Sequence, residues 1–522
     1  MKRREFIKKT ALSVPVTIGG MNIAAAEGKD WDWLRLVSEN NNNVLVLIQL
    51  NGGNDGLNTI VPVDQYSNLF KARENILIPE SNLLTLDGLD TIKFHPSMVE
   101  MQKLFNEEKM EIIQNVGYPN PNKSHFRSTD IWNSGSDSDV IDNTGWMGRY
   151  MEYQHPSFPE GYPNEATPDP LAITVDSLVS STCQGSSSNM SFAVKNLNSF
   201  SELDESSAST TIPNNHYGNE LKFVIESVKQ ANLYGKIIDS AAQKGNNLSE
   251  KYPENSKLAD QLRIVANLIS GGLQTKVYVV KLGGFDTHDT QVDEGNLIAG
   301  RHGALLTELS EGIAAFNDDL QLLGLNERVV SMTFSEFGRR IASNYSLGTD
   351  HGEAAPMMLF GDKVRPVVQG DNPVIPDSVG VKDNVPMQID FRSIYGSILM
   401  DWFDIDESVA REVVHPDFEY IPLIRKPDEF TESLGFNKSF GLKQNYPNPA
   451  HDYTMIDFKS RGGFVTLELF DNAGKKVMTP IQKTLTRGVH TIKVDLSSLD
   501  AGVYHYVLKE GSMKKSMQFI KR

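Results

Sequence analysis

Cysteine is nearly missing: Cys183 is the single one in 522 residues, so an intramolecular disulfide and a thiolate metal cluster are both excluded. Any metal must sit on oxygen and nitrogen donors. Cys183 lies in a Ser-rich stretch without charged neighbours and is assigned no role, because thiol reactivity needs a charged microenvironment. Long apolar runs are also lacking. The one near the start, Ala11 to Ala26, is broken by Pro15, Gly19 and Gly20 and falls short of the roughly 20 residues that span a bilayer. No transmembrane span is expected in the mature chain.

Basic charge is scarce as well, with a formal net charge of −17. The first 26 residues carry +4 and residues 437–522 carry +7, which leaves the middle at about −28. A surface so acidic repels nucleic acid and anionic membranes, which excludes nucleic acid as a partner and suits a soluble or cation-binding domain.

What is present begins with a targeting pattern. Arg3-Arg4-Glu5-Phe6 precedes the weak apolar run, which ends in Ala24-Ala25-Ala26. A basic region, a short apolar region and small residues are the ordered parts of a removable export signal, here residues 1–26. The paired arginines resemble the twin-arginine signal, which carries folded proteins. Residues 27–43, rich in Asn, read as a linker.

From Val44 to Leu50 the chain is apolar except for Gln49, the pattern of a strand buried on both faces; Lys276 to Leu282 and Arg328 to Phe334 repeat it. Between them, apolar residues spaced by three and four predict helices over Glu220–Asp239, Ser256–Ile269 and Ala304–Leu323. The alternation predicts an α/β fold over residues 44–427, a doubly wound sheet flanked by helices, with ligands at the carboxyl ends of its strands. Beyond about residue 437, short alternating strands and Gly, Asn and Asp turns predict a small all-β Ig-like sandwich over 438–522.

Four polar clusters follow strands or open helices. Gly52-Gly53-Asn54-Asp55-Gly56 presents Asp55 at a strand end, although such a turn also forms for purely structural reasons. Pro121-Asn122-Lys123-Ser124-His125-Phe126 places Ser124 at a helix N-terminus, as a nucleophile assisted by the dipole or simply as a cap, with Ser128 one turn on as the fallback. Gly283-Gly284-Phe285-Asp286-Thr287-His288 sets Asp286 and His288 where both can face one divalent cation: Zn, Mn, Mg or Ca. Ser335-Glu336-Phe337-Gly338-Arg339-Arg340, trailed by Thr349-Asp350-His351-Gly352, adds Glu336, Asp350 and His351 as ligands and one arginine, Arg339, to hold an anionic group. His95, His216 and His302 read as structural.

These motifs, in this order over residues 44–425, resemble the twin-arginine-exported family named domain of unknown function 1501, itself similar to the alkaline phosphatase and sulfatase superfamily. That resemblance implies an alkaline-phosphatase-like sheet, one or two divalent metals beneath a nucleophile at a helix start, and phosphate or sulfate esters as substrates, sulfated or phosphorylated glycans among them. Two departures stand out: Phe337 where the superfamily commonly has an imidazole, and Asn51 where it often has a bridging Asp. The C-terminal segments Asn445-Tyr446-Pro447-Asn448-Pro449, Leu469 to Lys475 and Leu499 to Tyr504, with a basic end, resemble the sorting domain of type IX secretion. Its machinery is the implied partner, with passage through the periplasm to a secreted or surface-attached state.

Two readings result. One is an exported metal-dependent ester hydrolase with catalytic Ser124 and Arg339 and metal ligands Asp55, Asp286, His288, Glu336, Asp350 and His351. The other, motivated by Phe337 and Asn51, is a non-catalytic surface protein that binds a glycan or a partner protein on a degenerate hydrolase scaffold.

Overall fold

The computed structural model describes residues 17–18, 21–22, 41–197, 212–425, 441–510 and 513–522. The expected export signal and linker lie almost wholly outside the described residues; within that stretch, Thr17–Ile18 pairs antiparallel with Met21–Asn22. Asn42–Arg522 form one compact unit. The expected break between residues 427 and 438 also falls outside the described residues.

Among the described residues, nine strands make the central sheet. They are β1 (Val44–Asn51), β2 (Met110–Gly117), β3 (Ala172–Thr174), β4 (Ser191–Ala193), β5 (Val277–Gly283), β6 (Val329–Phe334), β7 (Ala355–Phe360), β8 (Val368–Gln369) and β9 (Ile389–Asp390). The order is β8-β2-β7-β6-β1-β5-β3-β4, with β9 also on β2. At the centre, β1 runs parallel to β5 on one side and to β6 on the other. The sheet is mixed, because β7 is antiparallel to both β6 and β2.

Helices cover both faces for the reason the apolar runs imply. Alternate residues of β1 point to opposite sides, and each side must be dry. Val44, Val46 and Ile48 join a core with Leu262 and Val265 of α3 (Lys257–Ser270) and Ile313 and Phe316 of α4 (Arg301–Leu322), numbered after α1 (His125–Ser134) and α2 (His216–Lys244). Leu45 and Leu47 join the opposite core with Trp132 of α1 and Ile394 and Ile398 of α5 (Phe391–Asp401). Each such buried side chain contributes about 1.5–3 kcal/mol. This packing sets the carboxyl ends of β1, β5 and β6 side by side and rigid. No helix among the described residues is long and apolar enough to cross a membrane.

The C-terminal part is all-β and antiparallel: β10 (Gly441–Leu442), β11 (Tyr453–Asp471), β12 (Lys476–Asp495), β13 (Gly502–Glu510) and β14 (Met513–Lys521). Its own core includes Phe458, Leu467, Tyr506 and Phe519. It meets the α/β part through a buried ion pair, Arg365 with Asp457, and through Lys493 and Glu419 at 2.9 Å.

Candidate metal centre

The strand-end loops are tied to one another before they offer anything to a ligand. At Gly52 the backbone takes φ +126°, and a Cβ there would stand 2.2 Å from the Asp286 amide nitrogen, so only glycine lets these two loops touch. Arg339, 1% exposed, fastens them: Nε donates to Gly53 O (2.8 Å), Nη1 to Thr349 O (2.9 Å), and Nη2 to Phe285 O (3.0 Å), Asp286 Oδ1 (2.8 Å) and Gly52 O.

Three imidazoles and one carboxylate converge above this clamp. His125 opens α1, Asp286 and His288 follow β5, and His351 lies on the loop before β7. One ligand atom each from His125, Asp286 and His351 lies within 4.8 Å of the others. His288 Nε2 is 2.9 Å from His351 Nε2 and 3.2 Å from Asp286 Oδ1. His351 Nε2 is 3.2 Å from Asp286 Oδ1, and His125 Nε2 is 3.4 Å from Asp286 Oδ2. Such separations match ligands that each stand about 2 Å from a shared ion.

The other nitrogen of every ring is already held. His125 Nδ1 lies 2.9 Å from Glu336 Oε1, His288 Nδ1 lies 3.2 Å from Asp350 Oδ1, and His351 Nδ1 lies 2.8 Å from the Lys123 carbonyl. A carbonyl or carboxylate only accepts, so each Nδ1 carries the proton and each Nε2 of a neutral ring offers a lone pair inward. This is the arrangement that orients histidines around a metal. Glu336, 1% exposed, is itself fixed by the Gly52 amide, which donates to Oε1 at 2.8 Å.

A cation fits this donor set on two further observations. The buried Nε2 of His125 has no hydrogen-bond partner, which costs free energy unless something else satisfies it. The facing Nε2 atoms of His288 and His351 repel unless a proton or a cation lies near them, and burial lowers the pKa of His351, which disfavours the proton. Asp286 stays anionic: burial opposes its charge, but the hydrogen bond and the charge of Arg339, with the imidazoles around it, outweigh that and hold its pKa at about 2.

The remaining candidates are used otherwise. Asp55 is fully buried, with partners of its own. Both its oxygens bond to Arg73 Nη1 (3.0 and 2.9 Å), and Oδ2 accepts from Gln291 Nε2 at 2.6 Å. Burial is the largest single influence and raises its pKa, but the Arg73 charge, the neighbouring His302 and the hydrogen bonds from Arg73 and Gln291 together outweigh it, and the net shift is downward. This is an internal ion pair, and the carboxylate is outside the group that His125, Asp286 and His351 form. Arg339, with its donors spent on carbonyls and Asp286, presents no open edge to an anion. Glu336 and Asp350 stand one residue back, as holders of imidazole protons. Ser124 caps α1 from an exposed position with no side-chain cap bond, directly before His125. Ser128 is buried, its hydroxyl against Tyr118 (2.8 Å) and the Glu336 carbonyl.

Residues 42–388 match the family model described as Protein of unknown function (DUF1501). The chain belongs to this family. In this DUF1501 protein, residues 444–522 further match the Secretion system C-terminal sorting domain, which marks a secreted or outer-surface protein. No curated protein matches it. Among solved structures it is similar to a protein in the alkaline phosphatase superfamily from Vibrio parahaemolyticus (9% identity, 90% of this chain and 82% of that one, TM-score 0.32). It is also similar to a phosphonate monoester hydrolase from Silicibacter pomeroyi (8%, 92% and 88%, TM-score 0.34) and to a sulfatase from Pseudoalteromonas sp. (9%, 90% and 88%, TM-score 0.31). At these scores the likeness is distant.

The two departing residues of the DUF1501 domain both lie against the centre's loops. Phe337 is 2% exposed and packs its ring 4.5 Å from that of His351 and 5.0 Å from that of His125, an apolar wall beside both rings. Asn51 meets the Asp286 loop through its backbone carbonyl, which accepts from Gly284 N (3.2 Å) and Phe285 N (3.1 Å), a contact that does not depend on its side chain. His125 is the member of this group that sequence reasoning missed; a histidine at the first position of a helix, beside the Ser124 cap, was its available signal.

Proposed function

We propose that this chain is an exported metal-dependent hydrolase of phosphate or sulfate esters, with one divalent cation held by His125, Asp286, His288 and His351. The observation that carries the reading is the convergence of three imidazole Nε2 atoms on Asp286 while every Nδ1 is held from behind. Imidazole with one carboxylate favours Zn or Mn over Ca or Mg. A cation there supplies Lewis-acid stabilisation of charge on an ester oxygen.

The chain's own residues do the rest. Ser124 offers an exposed hydroxyl at the open end of α1, where free backbone N–H groups and the helix dipole favour an anionic group. Its place beside His125 makes it the nucleophile. Glu336, Asp350 and the Lys123 carbonyl keep each imidazole in the tautomer that points its lone pair inward. Export as a folded, metal-loaded domain by the twin-arginine route, through the periplasm and then the type IX machinery, completes the reading.

One observation favours the non-catalytic alternative: Arg339, the expected anion holder, is spent within the protein. The two readings separate in one assay, purified full-length protein with Zn²⁺ or Mn²⁺ on 4-nitrophenyl phosphate and sulfate. Turnover that disappears in Ser124→Ala supports the hydrolase. Metal-loaded, folded protein with no turnover on either ester overturns it.

A further inference from the structure

Two charged residues of the C-terminal domain are buried on the wrong side of their strand. In β11, Ile456 and Phe458 point into that domain's own core. Alternation puts Asp457 and Lys459 on the opposite face, where a free-standing sandwich shows its charges to water. Yet Asp457 is 4% and Lys459 8% exposed. Such residues are seldom buried unless paired, and the α/β part is what meets them. Asp457 pairs with Arg365, itself 5% exposed. A Cβ on Gly88 would stand 3.4 Å from the Lys459 ammonium nitrogen.

The contact extends on both sides of this pair. Thr491 Oγ1 of β12 donates to Asp457 Oδ1 at 2.8 Å, and Arg365 Nη1 donates to the Pro422 carbonyl at 3.5 Å, so each partner is held within its own domain as well. Lys493 of β12 lies 2.9 Å from Glu419, and the ring of Tyr446 stands 5.7 Å from that of Tyr420. β12 also runs against Leu89–Phe94 and against β8. The receiving surface is therefore assembled from three distant stretches of the α/β part, near residues 88–94, 365–369 and 419–422, and exists only when that part is folded. Its charge suits the occupant: the C-terminal domain carries +7 against about −28 in the middle of the chain, and opposite fields favour association.

We propose that this face of the α/β part, centred on Arg365, is a binding site for the chain's own basic C-terminal domain, which stays bound as a non-covalent subunit when the chain is cut between residues 427 and 438. The inference is independent of the hydrolase reading. The test is the full-length chain with a site-specific protease sequence inserted in that stretch, cut to completion and followed by sedimentation at micromolar concentration. Cut wild type is expected to sediment as one particle holding one copy of each part. Arg365→Ala and Asp457→Ala each raise the Kd between the parts at least about 30-fold, because either change leaves a desolvated charge without its partner. Lys493→Glu raises it about 3-fold, and adding Glu419→Lys restores it; these exposed positions decide the matter if a buried variant fails to fold. The proposal is overturned if cut wild type separates into two folded parts, or if neither the alanine variants nor Lys493→Glu change the Kd. A particle with two copies of each part would place the domain on a second chain and overturn it as well.

Discussion

His288 and His351 meet Nε2 to Nε2 at 2.9 Å, while Asp350 and the Lys123 carbonyl hold their far nitrogens. With their far nitrogens so held, the facing Nε2 atoms need a proton or a cation near them, and Asp286 and His125 stand beside the pair.

The residues behind the imidazoles should then tune affinity without supplying it. Glu336→Gln and Asp350→Asn are expected to weaken metal binding about 10–100-fold, read by competition with a chromophoric chelator. Affinity unchanged in both would show that the Nδ1 contacts are incidental.

Ser124 gives a cleaner catalytic test, since its hydroxyl caps nothing and faces solvent. Ser124→Ala should lower kcat by at least about 10³ and leave metal content unchanged, with stability within about 0.5 kcal/mol. Loss of metal or of fold would assign the residue a structural role instead.

Asp55 belongs to stability. Asp55→Asn leaves Arg73, 0% exposed in its side chain, without its carboxylate, and breaking a buried pair costs about 3–5 kcal/mol. Chemical denaturation should register that loss while metal stoichiometry holds. A drop in bound metal with unchanged stability would put Asp55 back in the centre.

Beneath the centre, burial lowers His302 from 6.5 to about 4 and His95 to about 3. Both rings are neutral when folded, so the unfolded chain takes up protons first as pH falls. The stability they contribute is whole above about pH 6.5 and drains away as pH drops toward 4. For His302 the loss at pH 5 is roughly 2 kcal/mol. The urea midpoint should fall between pH 7 and pH 5, and His302→Gln should flatten that slope; an equal slope in the variant would contradict the assignment.

These residues also mark how far the sequence can be read. β1, β5 and β6 are legible because a strand buried on both faces is nearly all apolar, and Asp286, His288 and His351 because they follow such strands. β2 escapes that pattern: Glu111, Gln114 and Asn115 are buried polar residues whose partners, among them Gln369, come from distant chain. β7 hides behind Pro356, tolerated where Ala355 and Met357 form an irregular register against β2. At the centre, Asp55 and Arg339 look available from spacing alone. Only the fold brings Arg73 to the first and four carbonyls to the second. His125 escaped because its contribution depends on where α1 lands over β1 and β6, which local spacing does not encode.

The most direct test is metal quantification on native full-length protein purified from its own export route, beside His125→Ala and His351→Ala. About one Zn or Mn per chain in wild type, falling below about one tenth in each variant while both stay folded, is the predicted result. Metal-free native protein, or a stoichiometry indifferent to both histidines, would contradict the centre described above.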